Sequence, residues 1–346
     1  MTHIDNLALG MRIGRSVYDT SGRALAESGD VVGNRLLQDL RLSGVSRVYT
    51  LDPLTDDFEV VDVLSDTTRL DAYSAAAEAF EGRGAASRLR AVCVEMVREV
   101  QASQGAVQGA VPIYPLQDYL VAHCVHSAVY ALLIAAELRL PASTQISVAM
   151  GMLVHDIGCA GVGPIGEVPG RLTEAELLEF QQHTRHGFEM LRELLSSAPL
   201  GRSIALYHHE RTDGSGYPGG ATGAEIPEPG RIAAVADAFA AMVSDRHHRP
   251  ARLNDEAFSY LLSSGAGKFD RALVARLATR VEIYPAGVWV RLRDGSAGVV
   301  LGSRRGATVR PIVRLLEDAD RDPIDPPENI DLSDRVDLFI ADVFYD

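Results

Sequence analysis

The sequence predicts a multidomain, mainly helical protein, with a small α+β module ahead of a helical central domain and a small β-rich module behind it. Three observations carry this prediction. From about residue 116 to residue 279, apolar residues recur at the helical period. Before residue 64 and after residue 280 they fall instead in short runs broken by turn residues. The length, 346 residues, exceeds one ordinary core of roughly 100–150 residues. The expected boundaries are 1–64, a helical linker over 65–115, the central domain over 116–279, and 280–346.

Composition narrows the function classes. A net charge of −14 argues against broad binding to a nucleic-acid polymer, which needs a basic face, yet leaves room for a small phosphate ligand held by a local cluster of cations or metal ions. Three cysteines without paired spacing, Cys93, Cys124 and Cys159, indicate a reducing compartment. No window reaches the roughly 18–20 uninterrupted apolar residues of a membrane helix, so the expectation is a cytoplasmic protein without a membrane partner.

Residues 1–64 alternate apolar runs with Gly-containing turns, and carry a helical pattern at 34–42 and a strand candidate at 47–49. No ligand-type cluster falls there, and the segment reads as a docking or dimerising module. Residues 66–101 show helical spacing with a break at Gly82 to Gly84, predicting two connecting helices; residues 104–115, with two Gly and two Pro, read as a linker. Residues 116–140 form a helix that Pro141 ends, so His126 projects from its middle, with His123 one turn earlier on a neighbouring face. A second apolar helix covers 147–157 and ends in His155-Asp156. Thr173 followed by Glu176 is a capping signature for a helix running to 195, with His183 at mid-length and His186 at the surface. Residues 204–209 make a short helical approach to the paired histidines. Residues 232–243 form an apolar helix on which Asp237 would be a buried charge, costing on the order of several kcal/mol unless it ligates something. Beyond residue 280, Val288-Trp289-Val290, Asp294-Gly295 and residues 298–301 alternate like strands around a hairpin turn. The acidic, Pro-containing stretch 317–334 reads as a loose or contact-ordered surface segment.

The densest chemistry lies in residues 208–218, HHERTDGSGYP, where two adjacent imidazoles precede a tight Gly-rich turn. Ser215 in this turn lacks the G-x-S-x-G elbow of a serine hydrolase. Together with His126, His155-Asp156, His183 and Asp237, the stretch resembles the HD-GYP family of metal-dependent cyclic di-GMP phosphodiesterases. The resemblance spans about residues 116–277. It rests on HDIG at 155–158, PGRLT at 169–173, H-x-x-x-G at 183–187, HHE-x-x-DGSGYP from 208 and RIAAVAD at 231–237.

The resemblance implies an HD-type domain with two divalent transition-metal ions. His126, His155, Asp156 and Asp237 would hold one, and Asp156, His183, His208 and His209 the other, with His155 and Asp156 at the catalytic centre and Asp156 bridging. Mixed nitrogen and oxygen donors favour Fe or Mn, with Zn also fitting, over Mg or Ca. The implied reaction is hydrolysis of cyclic di-GMP to pGpG or GMP by a hydroxide between ions roughly 3.5–4 Å apart. Arg246 and Arg249 would contact substrate phosphates. Tyr217 would sit at the metal mouth, open to substrate or to a GGDEF-type diguanylate cyclase domain. Residues 1–64 resemble, more weakly, the module often found ahead of HD-GYP domains, and a homodimer is a further expected partner state.

Three positions depart from the family pattern: Cys159 stands where a lysine is usual, Ala122 where some members carry a third-metal glutamate, and Ala240 where an aspartate is frequent. The set of ligands favours an enzyme. Cys159 favours a non-catalytic or weakly active cyclic di-GMP sensor or adaptor, or a phosphodiesterase for another cyclic dinucleotide.

Overall fold

The computed structural model describes residues 2–19, 21–51, 61–103, 108, 119–162, 172–245, 251–264 and 267–344. At the N-terminus, strands of two or three residues, β1 (Thr2–His3), β2 (Arg12–Ile13), β3 (Val17–Tyr18) and β4 (Ala24–Ala26), precede helix α1 (Asn34–Leu42), followed by β5 (Arg47–Val48) and β6 (Thr50–Leu51). They pair antiparallel as β1–β5, β2–β6 and β3–β4. Such short ribbons are marginal alone. What holds them is a separate core that includes Ile13, Val17, Leu40 and Val48.

Helices α2 (Asp66–Phe80) and α3 (Ala86–Ala102) follow. The Ser65 hydroxyl caps α2 by accepting the Thr68 N–H at 3.2 Å. Asp62, just ahead of α2, joins the N-terminal module to the helices: its carboxylate takes Arg15 Nη2 from the module and Arg69 Nη2 from α2, each at 2.5 Å. Beside this pair, the Tyr73 hydroxyl lies 2.8 Å from His126 Nε2.

The central domain is built around α4 (Tyr119–Glu137), which packs against α2, α3, α5 (Ala142–Leu153), α9 (Glu228–Met242) and α11 (Arg271–Ala278). Its composition is apolar on every face, so every residue from Ala122 to Ala135 is buried. Contrary to the expectation from uninterrupted apolar runs, α4 is long and apolar enough to cross a membrane, yet 78% of its most apolar 18-residue stretch is buried inside the protein. Helices α6 (Glu174–Gln181), α7 (His183–Leu194) and α8 (Pro199–Tyr207) complete the layer around the site, with α10 (Asn254–Ser259) between α9 and α11. Where α5 crosses α8, a Cβ on Gly151 would lie 2.3 Å from the Gly201 carbonyl oxygen. The two backbones touch, and only glycine permits it.

Two helices differ from expectation in ways that matter for the site. The second apolar helix begins at Ala142 and ends at Leu153, two residues before His155, because the His155 ring bonds the Met152 carbonyl at 2.8 Å and the chain turns there. The helix expected over 173–195 opens with the anticipated Thr173–Glu176 capping box but breaks at Gln182. Side chains cause the break: His183 Nδ1 and Thr184 Oγ1 bond the carbonyls of Phe180 and Gln181 at 2.6 and 2.9 Å, competing with the backbone donors. His183 thus opens a helix instead of sitting at mid-length.

The C-terminal module is one antiparallel sheet, order β10-β9-β8-β7-β11, from β7 (Trp289–Leu292), β8 (Ala297–Gly302), β9 (Ile312–Glu317), β10 (Pro323–Asp331) and β11 (Ile340–Phe344). The acidic stretch read as loose or contact-ordered supplies the sheet's edge strand β10, ordered by its pairing with β9. Glu328 to Asp331 pair in register with Leu315 to Ile312, Ile330 enters the module's core, and proline is tolerated because the strand is an edge. The module is tied to the C-terminal end of α4, where Glu137 accepts from Arg280 at 3.1 Å and Arg305 at 2.6 Å.

The Asp62 junction sets a measurable pH dependence. Burial works to raise the Asp62 pKa, but Arg69 and then Arg15 more than offset it and bring it down to about 2. With an unfolded-state value of roughly 3.9, the stabilisation is complete above about pH 4 and disappears as pH falls through 2. Asp62→Asn should lower unfolding free energy by ~2–4 kcal/mol at neutral pH. Denaturant unfolding curves should show the gap to the parent closing between pH 4 and pH 2.

Candidate metal centre

The donors come from the ends of elements. His155 and Asp156 follow α5, His183 opens α7, His208 and His209 follow α8, Asp237 lies within α9, and α4 contributes a histidine from its buried middle. One atom each of Asp156, His183, His208 and His209 lies within 4.8 Å of the others, as do atoms of His123, His155 and Asp237. A third such group, Cys124, His155 and Asp156, overlaps both. His155, His183 and His208 are fully buried, and Asp237 is nearly so.

Main-chain carbonyls fix the tautomers. Nδ1 of His155, His183 and His208 sits 2.8, 2.6 and 3.0 Å from the carbonyls of Met152, Phe180 and Ile204. A carbonyl only accepts, so each Nδ1 carries the proton and each Nε2 presents a lone pair to the centre. Nε2 of His183 and His208 are 3.4 Å apart. They lie 3.6 and 3.3 Å from Asp156 Oδ1, while His155 Nε2 lies 3.5 Å from Asp156 Oδ2 and 3.6 Å from Asp237 Oδ1. Most of these spacings are long for hydrogen bonds, and all are close to the roughly 3.0–3.5 Å between two donors on one ion at ~2.1 Å. His155 Nε2 is buried with no hydrogen-bond partner among the described residues. The donor set therefore fits a bound cation.

Electrostatics agree. Burial raises the carboxyl pKa of Asp156 and Asp237, but the imidazoles around them, His155 and His208 for the first and His123 and His155 for the second, hold both well below the ordinary range. Burial, with His208 close by, pushes His209 well below the ordinary histidine value, and burial lowers His183. His155 goes the other way: burial opposes its charge, but Asp156 outweighs it and raises the pKa. The raised value at His155 shows that the pocket favours a positive charge between the two carboxylates, while His183 and His209 are held neutral and able to ligate one.

The first histidine expected from sequence is not the one that reaches the centre. His126 turns toward α2, where its Nε2 meets the Tyr73 hydroxyl, and burial followed by Arg69 holds its pKa well below the usual value. His123, three residues earlier, has Nε2 2.8 Å from Asp237 Oδ1 and 4.0 Å from Asp156 Oδ2. The family resemblance pointed to His126. The usable signal was the pair at i and i+3, and α4 offers no polar face to choose between them. His186 is exposed. Arg246 and Arg249 lie outside the described residues.

Sequence reasoning also gave no role to Glu210. This buried side chain accepts the N–H groups of Gly219 and Ala221 at 2.7 and 3.0 Å, folding the Gly-Tyr-Pro turn back over the paired histidines. Tyr217 is half-buried, its ring centroid 4.7 Å from that of His209. Gly158 is the point where the turn after Asp156 meets α7: a Cβ there would lie 2.0 Å from the His183 carbonyl oxygen, so any side chain would push apart two ligand-bearing segments.

The sequence and the fold are both similar to known proteins. Residues 110–273 match the HD domain family, and residues 289–345 match the KOW domain associated with HD domain. The centre of the chain thus matches an HD domain. A cyclic di-GMP phosphodiesterase of Pseudomonas aeruginosa is 31% identical over 243 residues, covering 69% of this chain and 58% of that protein. A 3'3'-cGAMP-specific phosphodiesterase of Vibrio cholerae is 34% identical over 168 residues, 48% of this chain and 36% of that one. The chain therefore spans about a third to three-fifths of these relatives' lengths. In fold it is similar to Bd1817, an HDGYP protein from Bdellovibrio bacteriovorus, with a TM-score of 0.52 at 15% identity, covering 80% of this chain and 97% of that one.

The two histidines of α4 separate ligation from packing. His123→Ala should lower the content of tightly bound Mn or Fe by at least half after anaerobic loading and desalting, as measured by elemental analysis. His126→Ala should keep the parent's metal content and instead lower thermal stability, because it removes the bond between the imidazole and the buried Tyr73 hydroxyl and empties a packed site, a loss of ~1–3 kcal/mol.

Proposed function

We propose that the chain hydrolyses the phosphodiester bonds of a cyclic dinucleotide, cyclic di-GMP first, with pGpG or GMP as product. The observation that carries this reading is the lone-pair cluster itself: Nε2 of His155, His183 and His208 held on two anionic carboxylates at co-ligand spacing. Asp156, His183, His208 and His209 would hold one divalent transition metal, and His123, His155 and Asp237 another, with Asp156 within reach of both. When bound, such a pair supplies Lewis acidity and an activated water for in-line displacement at phosphorus. Mixed donors favour Fe or Mn, with Zn as a third fit.

The chain's own residues do the rest. The carbonyls of Met152, Phe180 and Ile204 keep three imidazoles in the ligating tautomer. Glu210 holds the loop that puts Tyr217 beside His209, where its ring can pack on a substrate base or ribose. The same loop is the expected contact for a GGDEF-type partner domain. Arg246 and Arg249 are proposed to bind substrate phosphate. A second reading, binding without turnover, rests on Cys159, which stands in the turn after Asp156 where an ammonium would assist the phosphate oxygens.

Turnover of cyclic di-GMP by anaerobically loaded protein, with products separated by chromatography, tests the proposal. Asp156→Ala should reduce turnover at least a thousandfold and Arg246→Ala should weaken substrate binding about tenfold to a hundredfold, while Cys159→Lys should raise turnover. No hydrolysis by either the parent or the Cys159→Lys variant at any metal loading would put the binding protein ahead of the enzyme.

A further inference from the structure

Beside His209 opens a cleft of about 340 Å³ whose lining includes Arg211, Arg252 and Lys268 together with Tyr217, Tyr260 and Phe269. Among the described residues no Asp or Glu lines it. In a chain of net charge −14, three cations around one cleft with no carboxylate among its described lining residues run against the composition, and the local field favours an anion.

Two of these cations are fastened through backbone hydrogen bonds to segments that carry donors. The Thr212 N–H donates to the Lys268 carbonyl at 2.9 Å and the Thr212 hydroxyl to the Gly267 carbonyl at 2.5 Å, fastening Lys268 to the loop that follows His208 and His209. The Arg252 N–H donates to the Met242 carbonyl at 2.8 Å, fastening Arg252 to the end of α9, the helix of Asp237. Arg211 is engaged with the carbonyls of His208 and Glu210 at 3.1 and 2.9 Å. Arg252 and Lys268 form no ion pair among the described residues; the Arg252 guanidinium lies 5.6 Å from the Tyr260 ring centroid.

A cyclic dinucleotide carries two phosphates, and the His/Asp centre accommodates the one undergoing displacement. The other needs a partner at a fixed distance, and a cleft of this size next to the centre suits half of such a molecule. We propose that Arg252 and Lys268 bind the second, non-reacting phosphate of the cyclic dinucleotide and so select substrates with two phosphates over simple diesters. The inference rests on the cyclic-dinucleotide reading above.

The test compares cyclic di-GMP with bis(p-nitrophenyl) phosphate, which has one phosphate, on full-length Mn-loaded protein. Arg252→Gln and Lys268→Gln should each raise KM for cyclic di-GMP about tenfold and leave kcat within about twofold. Both constants for the aryl diester should stay at the parent's values, which also shows that the variants fold. If the parent cleaves both substrates and the variants change neither, or change both alike, this inference fails while the proposed function stands. A parent that cleaves only the aryl diester overturns both. If the parent cleaves neither, calorimetric binding of cyclic di-GMP decides: about tenfold weaker binding by the variants supports the role, equal binding overturns it, and no binding by the parent overturns both.

Discussion

Three buried imidazoles each donate their Nδ1–H to a main-chain carbonyl at the end of a helix, and the rest of the centre follows from that constraint. Once His155, His183 and His208 have bonded Met152, Phe180 and Ile204, their remaining nitrogens all face the carboxylates of Asp156 and Asp237, so that a cation between them satisfies both sides. The same bonds shape the fold. The first coincides with the end of α5, and the second, with that of Thr184, divides α6 from α7. Helix termination and ligand orientation are one event here, so the site's geometry is set by backbone hydrogen bonding as well as by side-chain packing.

The architecture was legible in the sequence wherever periodicity met a turn signal. Residues 34–42 and the two helices flanking Gly82 to Gly84 show strong patterns, and they form as read. Less legible were features decided by contacts distant in sequence. The helix break at Gln182 depends on side chains competing for carbonyls. The edge strand β10 depends on β9 as its template, which an acidic, Pro-containing stretch does not announce. On α4 the motif pointed to His126 while the fold turned His123 toward Asp237, because a helix buried on all sides carries no amphipathic record of its orientation. Asp237, by contrast, was singled out by its chemistry, since a lone carboxylate in an apolar helix demands a partner wherever the helix packs.

Charge is distributed unevenly and to a purpose. The chain is strongly acidic overall, yet its two central carboxylates are enclosed by imidazoles and the adjoining cleft is lined by cations. Fixed anions hold the centre, while the approach to it is cationic. An anionic ligand would meet favourable potential on the way in and a cation-seeking site at the end.

The position of α4 carries a consequence for how such a protein can change over time. One turn of this helix presents His123 to the centre, the next presents His126 to the junction with the N-terminal module, and its last residue, Glu137, anchors the C-terminal module. No face is left over. Drift that improves any one of these attachments is seen by the other two, so α4 should be the slowest-changing element. Diversification then falls to the cleft rim and the outer modules, which can vary while the shaft joining them stays fixed.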